Sequence, residues 1–129
     1  MKAKNIWAVI PAYNEEDNIV SIVKKTKRYV NGIVVVDDGS KDGTKKAAEK
    51  AGAIVLGHVV NLGKGATLKT GCDFAVKKGA GFIIVLDADA QHNPEDIPRF
   101  IEKLKKYDII LGYRKSSSKM PAILRFGNW

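Results

Sequence analysis

The sequence predicts an α/β protein with a mainly parallel sheet, and three observations predict it. Short β-branched runs alternate with segments of helical periodicity, as in successive βαβ units. Three of the runs are apolar almost throughout, the pattern of strands covered on both faces. Polar motifs follow directly on the strand ends, where open α/β sheets bind ligands. The 129 residues suit one domain, and the 45% hydrophobic and 28% charged fractions are those of an ordinary globular chain.

Five runs read as strands: Ile6 to Ile10, Ile33 to Val36, Ile54 to Leu56, Phe82 to Leu86 and Ile109 to Leu111. Between the first two, Ile19, Val20, Ile22, Val23, Tyr29 and Val30 mark one face of a helix over Asp17 to Val30. Thr44 to Ala51 is a shorter helix, stopped by Gly52. Leu68, Cys72, Ala75 and Val76 recur at helical spacing from Gly65 to Val76, and Gly79 ends that helix. Asn93 caps a last helix with Pro94 in its first turn; Ile97, Phe100, Ile101 and Leu104 face the core. Right-handed crossovers then bring four loops to one edge of the sheet: Pro11 to Glu16, Asp37 to Thr44, Asp87 to Glu95 and Gly112 to Arg114.

Asp87-Ala88-Asp89-Ala90-Gln91 is the sharpest chemical signal. Two carboxylates two residues apart repel unless a cation lies between them, and hard oxygen ligands suit Mg²⁺ or Mn²⁺. A metal bridging a diphosphate would neutralise charge on a departing nucleoside diphosphate. For D-x-D alone a pair of turn acids is the better account; its place after a buried strand reverses the odds. A phosphatase D-x-D-x-[TV] is weakened by Gln91 in the fifth place.

From Asp38, the stretch nearly spells an EF-hand loop, with Asp38, Ser40, Asp42, Gly43 and Glu49 at positions one, three, five, six and twelve. That loop enters from a helix, whereas this one leaves Ile33-Val34-Val35-Val36, a strand. A capped turn explains Ser40 and Asp42, but not Asp37 and Asp38 side by side at a strand end. One of those acids would bond a nucleotide base or ribose. Asn61-Leu62-Gly63-Lys64-Gly65 fails the P-loop pattern, because Gly65 stands where Ser or Thr should follow the lysine. It also fails G-x-G-x-x-G, whose third glycine is Leu68. Anion binding by backbone N–H groups and simple turn chemistry are equally good accounts of it. Tyr13 could stack a base and Glu15 could accept ribose hydroxyls, although a plain strand-to-helix turn would look similar. His92 lies beside the D-x-D as a lining residue; His58 reads as structural.

In ordered combination these segments resemble family 2 glycosyltransferases of the GT-A fold, nearest to dolichyl- or polyprenyl-phosphate mannose synthases. The matching segments are 11–16, 35–44, 61–65, 87–96 and 112–114, which cover nearly the whole chain. The resemblance implies a three-layer αβα Rossmann-like domain over 1–129, with the C-terminal acceptor-binding part of relatives absent. It implies that Pro11, Ala12, Tyr13 and Glu15 contact the nucleoside and that Val36 and Asp38 hold the base. Asp87, Ala88 and Asp89 would lie along the diphosphate, with Asp87, Asp89 and Gln91 at the metal. Lys64 and Arg125 would join the donor site, and Arg114 would reach the donor or acceptor phosphate. Asp89 and Arg114 are the catalytic candidates. The implied reaction is inverting transfer of a hexose from a nucleoside diphosphate, in the GDP-mannose or UDP-glucose class, to a polyprenyl or dolichyl phosphate. A catalytically idle nucleotide-sugar module, or a donor-binding subunit needing a partner chain, is the alternative.

The remaining features narrow the setting. The net charge is +8, and from Arg99 to Trp129 eight bases face two acids. Such a surface attracts phosphates, while Lys103 to Lys106 reads as a solvated face. No aromatic-basic interleaving points to nucleic acid. One cysteine, Cys72, excludes an internal disulfide and reads as a small core residue. No apolar run approaches the roughly 20 residues of a membrane span, and Asn14-Glu15-Glu16 comes too early for a signal peptide. The expectation is a cytoplasmic chain, peripheral at the cytoplasmic membrane face, whose exposed core edge favours self-association.

Overall fold

Four of the five apolar runs form strands. In a computed structural model, which describes residues 5–112, the order is β1 (Ile6–Ala12), α1 (Glu16–Thr26), β2 (Gly32–Asp37), α2 (Thr44–Ala51), β3 (Ile54–Gly57), α3 (Lys64–Lys77), β4 (Phe82–Val85), a 3₁₀ turn (Pro94–Asp96) and α4 (Ile97–Lys103). The strands lie in the order β3-β2-β1-β4 and every pairing is parallel. Val9 is in register with both Val34 and Val85.

Alternation along the strands sends Trp7, Val9, Val34 and Val36 to one face, where they form a buried cluster with Ala75 of α3. Ala8, Ile10, Ile33 and Val35 point the other way and are buried as well, so both faces are covered. That double burial is the physical content of the near-continuous apolar runs. α1 and α2 pack against each other, and α2 also meets β2 and β3. The result is an αβα arrangement, as the sequence predicts. Cys72 is half-buried against the α3 cluster, and burial pushes its thiol pKa up.

Two expectations change. α1 ends at Thr26 rather than Val30, because Arg28 and Tyr29 donate to the carbonyls of Lys25 and Thr26 in three-residue turns that replace the helical ladder. Ile109 to Leu111 is not a strand. Ile109 and Leu111 are 80% and 77% exposed, and a three-residue run without burial gains too little to be held extended.

The chain divides into two units, residues 1–97 and 98–129. The first holds the whole sheet and α1 to α3. Asn93 Oδ1 accepts the Glu95 N–H at 3.1 Å and so caps the 3₁₀ turn, with Pro94 in its first position. In the second unit Phe100, Ile101 and Leu104 are half-buried, and Gly112 lies so near Phe100 that an added Cβ would be 2.6 Å from its ring.

Candidate functional site

Strand succession runs outward from β1 through β2 to β3, then returns to place β4 on the other side of β1. At such a reversal the two crossovers leave a crevice beyond the carboxyl ends of the strands. A cleft of about 330 Å³ lies there. The end of β1 and its loop contribute Pro11, Ala12, Tyr13 and Glu15; the loop after β2 contributes Asp38; the entry to α3 contributes Asn61, Gly63, Lys64 and Thr67; and the loop after β4 contributes Asp87, Ala88 and Asp89. The structure therefore brings four acids, Glu15, Asp38, Asp87 and Asp89, and one lysine, Lys64, to one cavity.

The two loops nearest the cleft are laced together. Asn14 N–H donates to Ser40 Oγ and Asn14 Oδ1 accepts Lys41 N–H, both at 2.9 Å. Glu15 N–H donates to Thr44 Oγ1 at 2.9 Å, and the Glu16 carboxylate accepts Gly43 N–H at 2.5 Å. Asp42 accepts from the Thr44 hydroxyl, which holds its carboxyl below the usual range, and from the Thr44 and Glu16 N–H groups. Ser40 and Asp42 thus build the turn. Asp37 accepts Ser40 N–H at 3.2 Å and is likewise buried turn framework.

Asp38 is different. It is 4% exposed, yet its Oδ1 accepts Leu62 N–H and faces His58 Nδ1, each at 2.8 Å, while Oδ2 accepts Gly63 N–H at 2.9 Å. Burial raises its pKa, but the Leu62 N–H, His58 and the Gly63 N–H outweigh it, and the net shift is downward. A carboxylate has about four acceptor directions, so three partners leave room for one hydrogen bond from a ligand. Because the folded pKa lies below 3.8, the unfolded chain binds more protons between the two values. The stabilisation is present above 3.8 and fades as pH falls through the folded value. Asp38→Asn is expected to lower stability by about 2 kcal/mol at pH 7 and to flatten the acid limb of a pH-dependent denaturation series. Parallel acid limbs in the two proteins would contradict this.

After β4 a positive charge lies against the first acid of the Asp87-Ala88-Asp89 pair. Lys64 Nζ lies 2.5 Å from Asp87 Oδ1. Asp87 N–H donates to His92 Nδ1 at 2.9 Å, which leaves the proton on Nε2, 3.6 Å from Asp87 Oδ2. His92 lines a neighbouring groove against α1, together with Asn18 and Lys25, rather than the cleft itself. Asp89 is exposed, and its Oδ1 accepts Gln91 N–H at 3.0 Å. The intervening Ala90 has φ +64°, a left-handed conformation costing about 1 kcal/mol in a residue with a Cβ. Strain of this kind gathers where a turn must aim a side chain.

Several anticipated positions fall elsewhere. Val36 is fully buried in the α3-facing cluster, because strand alternation puts it on the same face as Val34. The exposed Gln91 lies past the turn and does not border the cleft. Arg114 and Arg125 lie outside the described residues, as does most of the fourth loop. Asn61 and Thr67 border the cleft without having been expected there. Among the described residues no group of three or more His, Cys, Asp or Glu side chains is arranged to hold a metal. Two carboxylates remain, and Mg²⁺ commonly binds through one or two carboxylates plus substrate phosphates. The donor set fits such a cation once a diphosphate completes it.

The cleft lies at the switch point of a parallel sheet, and the fold is that of GT-A glycosyltransferases. The profile of "Glycosyl transferase family 2" matches residues 7–126, so the chain belongs to that family. It is 42% identical to an uncharacterized protein of Methanocaldococcus jannaschii, over 96% of this chain and 54% of that one. It is 32% identical to the UDP-N-acetylglucosamine–dolichyl-phosphate N-acetylglucosaminyltransferase of Methanococcus voltae, over 99% of this chain and 61% of that protein. Among solved structures it is similar to glucosyl-3-phosphoglycerate synthase from Mycobacterium tuberculosis in complex with Mn²⁺, UDP and glucosyl-3-phosphoglycerate, with a TM-score of 0.67 and 26% identity over 81% of this chain and 41% of that one. The same synthase has been crystallised with Mg²⁺ and UDP. The chain spans about half the length of the curated relatives it matches. No helix among the described residues is long and apolar enough to cross a membrane.

Proposed function

We propose that the cleft binds a nucleoside-diphosphate sugar together with Mg²⁺ or Mn²⁺, and that the protein transfers the hexose to a polyprenyl phosphate at the cytoplasmic membrane face. The observation that carries the reading is the gathering of Asp38, Lys64, Asp87 and Asp89 in one cavity at the switch point. Tyr13, with Pro11 and Ala12, borders the nucleoside end. Asp38 offers its one remaining acceptor direction to a base N–H or ribose hydroxyl. Asp87 and Asp89 would hold the cation, which supplies neutralisation of charge on the departing diphosphate. Lys64, which neutralises Asp87 in the free protein, is within reach of the same phosphates and trades one oxyanion for another. A phosphate-ester acceptor is already ionised, so the step asks for little base catalysis from the protein. Arg114 and Arg125 are proposed for the phosphates by resemblance alone. The relatives named as undecaprenyl-phosphate mannosyltransferase, from Micrococcus luteus, and as the dolichyl-phosphate transferase above support the acceptor class.

Calorimetry with GDP-, UDP- and dTDP-sugars, with and without Mn²⁺, tests the donor half. One donor should bind at least tenfold more tightly with Mn²⁺ present, an increment of about 1.4 kcal/mol. Equal affinities with and without metal, or no binding of any of them, would remove the reading. Because the chain spans about half of its relatives, a second reading is a donor-binding module that does not turn over. Metal-dependent donor binding with no transfer to polyprenyl phosphate and no donor hydrolysis would select it.

A further inference from the structure

His58 reads as structural in the sequence, yet it lies between Asp38, which lines the cleft, and Thr70 of α3. Its Nδ1 is 2.8 Å from Asp38 Oδ1 and its Nε2 is 2.9 Å from Thr70 Oγ1. The carboxylate can only accept, so Nδ1 carries the proton and Nε2 accepts from the threonine hydroxyl. The His58 backbone is fixed too, since its N–H donates to the Asp37 carbonyl at 2.8 Å. The imidazole is largely buried, with 12% of its side chain exposed. Thr70 lies in the second turn of α3, and Asp38 ends the reach of β2. The ring is therefore a strut joining β2, the segment after β3, and α3.

The strut bears on Lys64 through Asp38. The oxygen that faces His58 also accepts Leu62 N–H, and its twin accepts Gly63 N–H, so both amides before Lys64 are tied to this carboxylate. Gly63 has φ +96°, a turn in which the peptide direction decides where the next side chain goes. The loop is otherwise lightly held: Val60 and Leu62 are 61% and 58% exposed. It passes close to Gly39, whose added Cβ would lie 2.8 Å from the Val60 carbonyl carbon.

We propose that His58, braced by Thr70, is a positioning residue that orients Asp38 so that the Leu62-Gly63 turn delivers Lys64 to the diphosphate end of the cleft. The inference rests on the donor-binding reading above for its functional consequence, while its structural half stands independently. His58 touches no ligand in this scheme. It acts by fixing the carboxylate rotamer that collects the two amides.

The test reads both halves. Amide hydrogen exchange in the free protein should quicken at Leu62 and Gly63 by about tenfold in His58→Ala, the loss expected for one charged hydrogen bond in a network. His58→Asn, whose amide nitrogen can replace the Nδ1 donor, should restore much of the protection; Thr70→Val should lose part of it. Binding of UDP and GDP with Mn²⁺ is then measured by calorimetry in His58→Ala, Lys64→Ala and the double variant. The expected result is about tenfold weaker binding in His58→Ala and little further loss in the double variant relative to Lys64→Ala. Unchanged exchange at Leu62 and Gly63 overturns the proposal, and so does a His58→Ala loss that adds in full to that of Lys64→Ala. If the parent protein binds neither nucleotide, the donor-binding reading fails instead. The exchange data then still decide whether His58 holds the turn.

Discussion

Asp89→Ala is expected to abolish cation-dependent binding of the nucleoside-diphosphate sugar while leaving the fold intact. Asp89 is exposed at the cleft, and its one local bond is the acceptance of Gln91 N–H at 3.0 Å. Removing that bond at a solvated turn changes stability by about 1 kcal/mol or less. The effect on binding is of another order. If Asp87 and Asp89 hold the cation, deletion of one leaves a single carboxylate ligand, and a loss of roughly a hundredfold or more in metal-dependent affinity follows. Calorimetry in Mn²⁺ and a thermal melt, run together, check both statements. Asp87→Ala makes the instructive contrast. It removes the partner of Lys64 Nζ and one of the contacts of His92, so it should disturb the free protein as well as the complex. Wild-type affinity in Asp89→Ala would place the cation elsewhere.

The second large effect lies in the core. Gly71 brings α3 so near the sheet that an added Cβ would stand 2.4 Å from Val9 Cγ1 and 3.0 Å from Val36 Cγ2. Both valines are fully buried, and β-branched side chains have little rotameric freedom with which to yield. The helix itself must move. Gly71→Ala is therefore expected to cost about 2 to 3 kcal/mol despite the better helix propensity of alanine. That corresponds to a fall in Tm of roughly 10 °C or more. Val9→Ala in the same background should recover part of the loss by vacating the space the methyl needs. Denaturant titration of the two single variants and the double variant measures the coupling. Additive losses would mean that the helix does not approach Val9 so closely.

Much of this architecture was legible before any coordinates. The runs that became β1 and β2 are apolar because both their faces are buried, and double burial leaves a mark that needs no partner to read. α2 begins and ends where Thr44 and Gly52 place it, the latter in a left-handed conformation that glycine adopts freely. The acids of the cleft were visible because carboxylates following a buried strand have few other uses. What stayed hidden depends on tertiary approach. His58 carries no local signal of its role, since its partners Asp38 and Thr70 lie 20 and 12 residues away. The lysine of the Gly-Lys-Gly turn was equally consistent with ordinary turn chemistry until Asp87 appeared beside it. Ile109 to Leu111 misled for the opposite reason: three apolar residues announce a strand only if something buries them.

The strand order has a further consequence for how the cleft comes into being. β1 meets β2 across a single short crossover, whereas Ile6 pairs with Phe82 across two further crossovers, the longest sequence separation in the sheet. Loop closure over that separation carries the largest entropic penalty in the sheet, and distant pairings of this kind are slow to form. Tyr13 and Asp89 lie just beyond the strands joined by that last pairing. A nucleotide held between them binds only chains in which the seam has closed, and mass action then makes the ligand a clamp on the least local contact of the fold.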